Sequence, residues 1–184
     1  MSTTAIIVLV VVIVAVLVLA AIVAMTMRQR ARSRRLRQRY GDEYDLMVGR
    51  AGNRRRAESE LQRREQRRQE MDIRPLEPGA RAAFAEDWRR TQEEFVDRPV
   101  EAVKRADLLV VQVMKARGYP AGDFEQQARD VSVDHASVIK EYRAAHKISA
   151  RNDDHRATTE ELRQAMKHYR ALFSELLEES GSPR

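Results

Sequence analysis

The chain has 184 residues, a formal net charge of +6 and no cysteine. That length allows one domain with an appendage, and the missing thiols exclude disulfide frameworks, thiolate metal sites and cysteine nucleophiles. Seven glycines and five prolines are too few for an all-β chain with a turn every ten residues or so, so an all-α fold is expected.

From Ala5 to Met27 the chain reads AIIVLVVVIVAVLVLAAIVAMTM, 23 residues without a charge. As a helix this run is roughly 34 Å long, enough to cross a hydrocarbon core of ~30 Å with some tilt. A cleaved signal peptide carries a basic n-region and a shorter apolar stretch of ~7–15 residues. Met1 to Thr4 hold no basic side chain, and the run is longer, so residues 1–27 are expected to form a retained transmembrane anchor. Seven arginines and no acid follow: Arg28, Arg30, Arg32, Arg34, Arg35, Arg37 and Arg39. Basic residues beside a membrane helix tend to stay cytoplasmic. The expectation is a single-pass protein of the cell membrane, N-terminus outside and C-terminal domain in the cytoplasm. Juxtamembrane arginines also attract anionic head groups, at ~1 kcal/mol each. The bilayer is thus an expected partner, with these seven side chains as its surface contacts.

Residues 28–70 hold 15 basic and 7 acidic side chains, and residues 71–184 hold 19 and 21. The positive charge therefore lies next to the anchor. Gly41 breaks the run, Asp42 reads as an N-cap, and a basic linker helix is expected from there to about Glu70. Its apolar stripe (Leu46, Met47, Ala51, Ala57, Leu61) is too thin for a coiled coil; Gly49 and Gly52 each weaken it by roughly 1 kcal/mol relative to Ala. Arg54, Arg55, Arg56, Arg63, Arg64, Arg67 and Arg68 offer phosphate contacts for nucleic acid. Their interleaved acids, and the lack of an aromatic reading motif, weigh against that partner.

Pro75 and Pro78 mark a break before a domain expected over 71–178, a bundle of four or five helices. The first starts near Pro78 and carries Phe84, Trp88 and Phe95 on one face, with Thr91 between. The second follows Pro99; its DLLVVQVM stretch is apolar on more than one side, and Gly118 suits its C′ position. Asp123 with Gln126 opens a short helix. Asp134 is expected to cap the next, which carries Val138, Tyr142, Ala145 and Ser149. Beyond the polar loop Asn152 to Arg156, Thr158 and Glu161 form a capping box ahead of a strongly amphipathic last helix. Residues 179–184 read as a disordered tail.

Four histidines, His135, His146, His155 and His168, show no short metal-ligand spacing and read as cap and surface residues, so no metal or other cofactor is expected. No GxSxG elbow, P-loop or GxGxxG is present, and an enzyme is not expected. Tyr142, Arg143 and His146 share one helix, and His168, Tyr169 and Arg170 the next. A polar patch from Tyr142, Arg143, His146, His168 and Tyr169 is one candidate site; the alternative places both tyrosines half-buried in the core, with their hydroxyls reaching a partner.

The segments YGDEYD (40–45), IRPL (73–76), FVDRP (95–99), ARGYPAGDFEQ (116–126), DVSVDH (130–135), EYRAAH (141–146) and ELRQAMKHYRALFSELL (161–177) resemble an uncharacterised bacterial family often labelled as membrane or secreted proteins. The resemblance covers nearly all of residues 40–177 and implies a membrane-anchored helical domain; it transfers no functional residue. Together these readings point to a membrane-tethered interaction or scaffold module that binds an unidentified protein partner, with self-association left open. The alternatives are a tethered ligand-sensing domain using the Tyr/Arg/His patch and, less favoured, membrane-associated nucleic-acid binding.

Overall fold

A computed structural model describes residues 3–152 and 157–178, with the side chains of 12–151 and 157–178. Among the described residues there are eight helices and no strand. The chain divides into one unit ending at Arg39 and a second beginning at Tyr40.

Nearly all of the first unit is one helix, α1 (Thr3–Tyr40), which runs through the apolar segment and the arginine run without a break. From Val12 to Met27 every side chain is exposed, and so are all seven arginines. A soluble core helix hides its apolar face; one that is apolar all round and shows it on every side matches a lipid solvent instead. By length and composition α1 is able to cross a membrane.

The second unit starts thirty-odd residues earlier than the boundary expected at 71, because residues 40–70 of the basic segment belong to it. That segment is two helices, not one: α2 (Asp42–Ala51) and α3 (Arg54–Gln69). Gly52 takes the left-handed conformation (φ 61°) that closes α2, and Asn53 caps α3 by accepting from the Arg55 amide at 2.8 Å. Gly52 is thus a stop, and its expected helix penalty does not apply. Asp42 is not the N-cap either. Gly41 occupies that place, and Asp42, Glu43 and Asp45 fill the first turn, where acids are favoured by the helix dipole.

The bundle proper comprises α4 (Pro78–Asp97), α5 (Pro99–Ala116), α6 (Phe124–Val131), α7 (Ile139–Asn152) and α8 (Thr159–Glu178). Pro78 and Pro99 stand at first-turn positions, where the missing amide costs nothing. Asp123 caps α6 through the Gln126 amide at 2.7 Å. Thr158 and Glu161 cap α8 reciprocally at 2.8 and 3.2 Å. Helix α5 packs on both α4 and α8, and α7 packs on α8. The core joins Val103, Val110 and Val113 of α5 to Tyr142 of α7 and Leu172 of α8, all completely buried. Buried Thr91, among the apolar residues of α4, returns its hydroxyl to the Asp87 carbonyl at 2.8 Å.

Two expectations about the segment before α7 are overturned. Asp134 does not cap that helix, which starts at Ile139; its carboxylate accepts from the Tyr119 hydroxyl at 3.1 Å and pairs with Arg68. His135 is not a surface residue: it is 1% exposed, with Nδ1 3.0 Å from Glu175 Oε2. His155 lies outside the described residues, as do residues 179–184, where the tail was expected.

Candidate functional site

The expected Tyr/Arg/His patch is divided among three environments. Tyr142 and Tyr169 are fully buried, edge to face with ring centroids 6.2 Å apart. Burial raises the pKa of both phenols, and the Asp107 charge raises it further. Among the described residues neither hydroxyl reaches hydrogen-bond geometry with a partner, although Asp107 and Ser149 are close enough to act on that of Tyr169. His146 stacks on Phe124 with centroids 3.6 Å apart, its Nδ1 3.9 Å from Asp107. Arg143 turns away to pair with Glu43, and His168 is half-buried on α8. The tyrosines and His146 are thus gathered at Asp107, a residue with no signature in the sequence, while Arg143 is engaged elsewhere. Among the described residues no three His, Asp or Glu side chains are placed to hold a metal ion.

Arg143 belongs to a second cluster. Glu43, 1% exposed, lies between Arg143 and Arg64. Arg64 also reaches Ser132 at 3.3 Å. Beside it Arg67 pairs with Asp130 at 2.9 Å, and Arg68 with Asp134. These contacts fasten α3 to α6 and the segment after it. Arg54 and Arg63 pair with Glu58 and Glu60 of their own helix. Of the arginines considered for phosphate binding, Arg55 and Arg56 make no ion pair among the described residues; the rest neutralise protein carboxylates.

A groove of about 610 Å³ lies between α4 and α8. Its floor is the stacked pair Trp88 and Phe173, ring centroids 4.5 Å apart. Leu76, Ala82, Ala85 and Leu177 form apolar walls, and Arg81, Arg170 and Glu178 stand on the rim. The indole N–H of Trp88 has no acceptor among the described residues. Because α5 packs against both α4 and α8, those helices are spaced by it, and the groove is what remains between their outer faces. Periodicity marks Trp88 and Phe173 as core residues. It carries no signal that their two helices stand apart above them, so sequence reasoning misses this surface.

No family model, no curated protein and no solved structure matches the chain. What the fold and its surfaces define is a class only: an all-α domain following a helix able to cross a membrane.

Proposed function

We propose that the chain is a membrane-anchored helical interaction module. Its anchor spans the bilayer, its arginine collar lies at anionic head groups on the cytoplasmic side, and its bundle binds a partner protein. The observation that carries this reading is α1, an unbroken helix that passes from a charge-free apolar run, exposed on every described side, into seven exposed arginines. Apolar length favours insertion, and the adjacent positive charge favours a cytoplasmic C-terminal side. The α4–α8 groove gives the bundle a surface with which to bind. The Asp107 cluster supports a ligand-sensing role less well, because its phenols are fully buried and its expected anion-binding arginine already holds Glu43.

Single cysteines, Thr3→Cys and Ser182→Cys, test the arrangement against a clean background, since the chain has no cysteine. An impermeant thiol reagent on intact cells is expected to label position 3 and spare position 182. The opposite pattern overturns the cytoplasmic placement. Resistance to alkaline carbonate extraction is expected as well, and release of the chain by carbonate refutes the anchor. Cross-linking in intact membranes before detergent extraction is expected to trap a stoichiometric partner; recovery of the chain alone counts against the interaction role.

A further inference from the structure

We propose that the α4–α8 groove is the docking site for an amphipathic helix of a partner protein whose apolar anchors are flanked by acidic side chains. This deepens the partner-binding reading above and rests on it.

The groove's shape argues for a helix. Its α4 wall runs from Pro78 to Gln92 and its α8 wall from Arg170 to Glu178. At 1.5 Å per residue these walls are roughly 21 Å and 12 Å long, room for two to four turns of a guest helix. Apolar side walls over an aromatic floor suit the i, i+3, i+4, i+7 anchors by which an amphipathic helix binds. Trp88 and Phe173 are buried core residues that underlie the groove, so a guest meets chiefly Leu76, Ala82, Ala85 and Leu177, and the Trp88 ring senses it from beneath.

Charge selects the guest. Elsewhere on these helices arginines are neutralised from within: Arg89 and Arg90 pair with Glu86, and Arg163 pairs with Glu160. The two arginines on the groove rim, Arg81 and Arg170, make no ion pair among the described residues. They are placed to receive carboxylates from a guest, which would form charge-assisted hydrogen bonds. Glu178 on the same rim repels an acid set opposite it. The guest therefore carries acids toward Arg81 and Arg170 and a neutral or basic residue toward Glu178, an arrangement that also sets its direction.

Trp88 is the only tryptophan of the chain, so its fluorescence reports on the groove alone. Full-length protein in phosphatidylcholine nanodiscs is used to select from a phage-displayed library of helical peptides with randomised surface positions. The selected peptides are then synthesised and titrated against Trp88 emission. Recovered peptides are expected to carry Asp or Glu beside Leu or aromatic anchors and to give a saturable change in emission. Affinity is expected to fall about tenfold or more for R81E/R170E, and to be lost in the groove-blocking variant Ala85→Glu. Both variants alter exposed side chains and are expected to keep the parent's helical circular dichroism. Failure to select a saturable binder, or binders without acidic bias that leave Trp88 unchanged and bind R81E/R170E equally, overturns the proposal. So does a Trp88 response to phosphatidylglycerol nanodiscs without peptide, which would assign the groove to lipid. Carbonate extraction of the same variants separates this outcome from the anchor. A groove that fails while the chain stays in the membrane removes only the guest.

Discussion

Gly118 shows how much a single residue decides in this fold. It follows the last turn of α5 with φ 99°, its amide bonding the Lys115 carbonyl at 3.0 Å while the Tyr119 amide bonds that of Met114 at 3.0 Å. This is the double hydrogen bond of a Schellman stop. A Cβ here would also lie 2.2 Å from the Asp72 carbonyl oxygen, because residues 72–74 run against this helix end, where the Arg74 amide bonds the Arg117 carbonyl at 2.9 Å. Gly118→Ala is therefore expected to cost about 2–4 kcal/mol in a urea titration of the detergent-solubilised chain. Gly49, inside α2 with nothing within 4 Å of a built Cβ, predicts the reverse: Gly49→Ala stabilises by roughly 0.5–1 kcal/mol. Equal effects at the two sites would defeat both arguments. The tyrosines predict a pH dependence at the same scale. Burial is the largest cause raising the pKa of Tyr119, Tyr142 and Tyr169 above the ordinary phenol value of 10.0. Near and above pH 10 the unfolded chain gives up these protons while the folded chain keeps them, so their contribution is complete below pH ~10 and is lost as pH rises further. Melting temperature is expected to fall steeply above pH 10, with phenolate absorbance at 295 nm appearing together with unfolding. Ionisation of these three phenols near pH 10 in the still-folded protein would contradict their burial.

Helices differ in how openly the sequence announces them. Those with chemical punctuation were legible: prolines open α4 and α5, Asp123 opens α6, and the Thr158–Glu161 box opens α8, each where the residue pattern places it. The core faces of α5 and α8 follow 3.6-residue periodicity and are buried accordingly. The segment 42–70 was legible as helix but not as two helices, because Gly-Asn within a polar stretch gives no sign of whether its glycine is tolerated or terminal. Nor could the role of its charges be read. An acid in the first turn of a helix usually faces water and the helix dipole, whereas Glu43 is buried between two arginines brought from α3 and α7. Tyr40, Tyr44, Ala57 and Leu61 form apolar contacts separate from the main core, so ion pairs carry much of the attachment of α2 and α3 to the bundle. Removing one member of such a set leaves buried charge uncompensated. Glu43→Ala is expected to destabilise by about 3–5 kcal/mol and to hasten tryptic cleavage at Arg64, Arg67 and Arg68. A variant that melts and digests like the parent would show that these pairs add nothing to docking.

At the scale of the whole molecule the question is where the excess positive charge acts. A net charge of +6 and a pI of about 10.0 invite a nucleic-acid partner, and the basic count of residues 28–70 draws attention to their whole length. The fold divides that count. In α3, Arg64, Arg67 and Arg68 are matched by Glu43, Asp130 and Asp134, two of them from beyond residue 100. The seven arginines that follow the apolar run of α1 are all exposed. Basic charge in the two segments therefore has different consequences, which substitution separates. Replacing Arg28, Arg30, Arg32, Arg34, Arg35, Arg37 and Arg39 with Gln leaves the apolar run intact, so insertion is expected to persist. It removes the asymmetry on which the proposed direction rests, so Ser182→Cys in that background is expected to become labelled by the impermeant reagent in a substantial fraction of molecules. Replacing Arg54, Arg55, Arg56 and Arg63 with Gln removes four positive charges farther from the apolar run and is expected to leave labelling unchanged. Orientation lost equally in both variants would mean that total charge, rather than charge beside the membrane, sets the topology. Orientation kept in both would take that task from the collar and leave it with lipid contact alone.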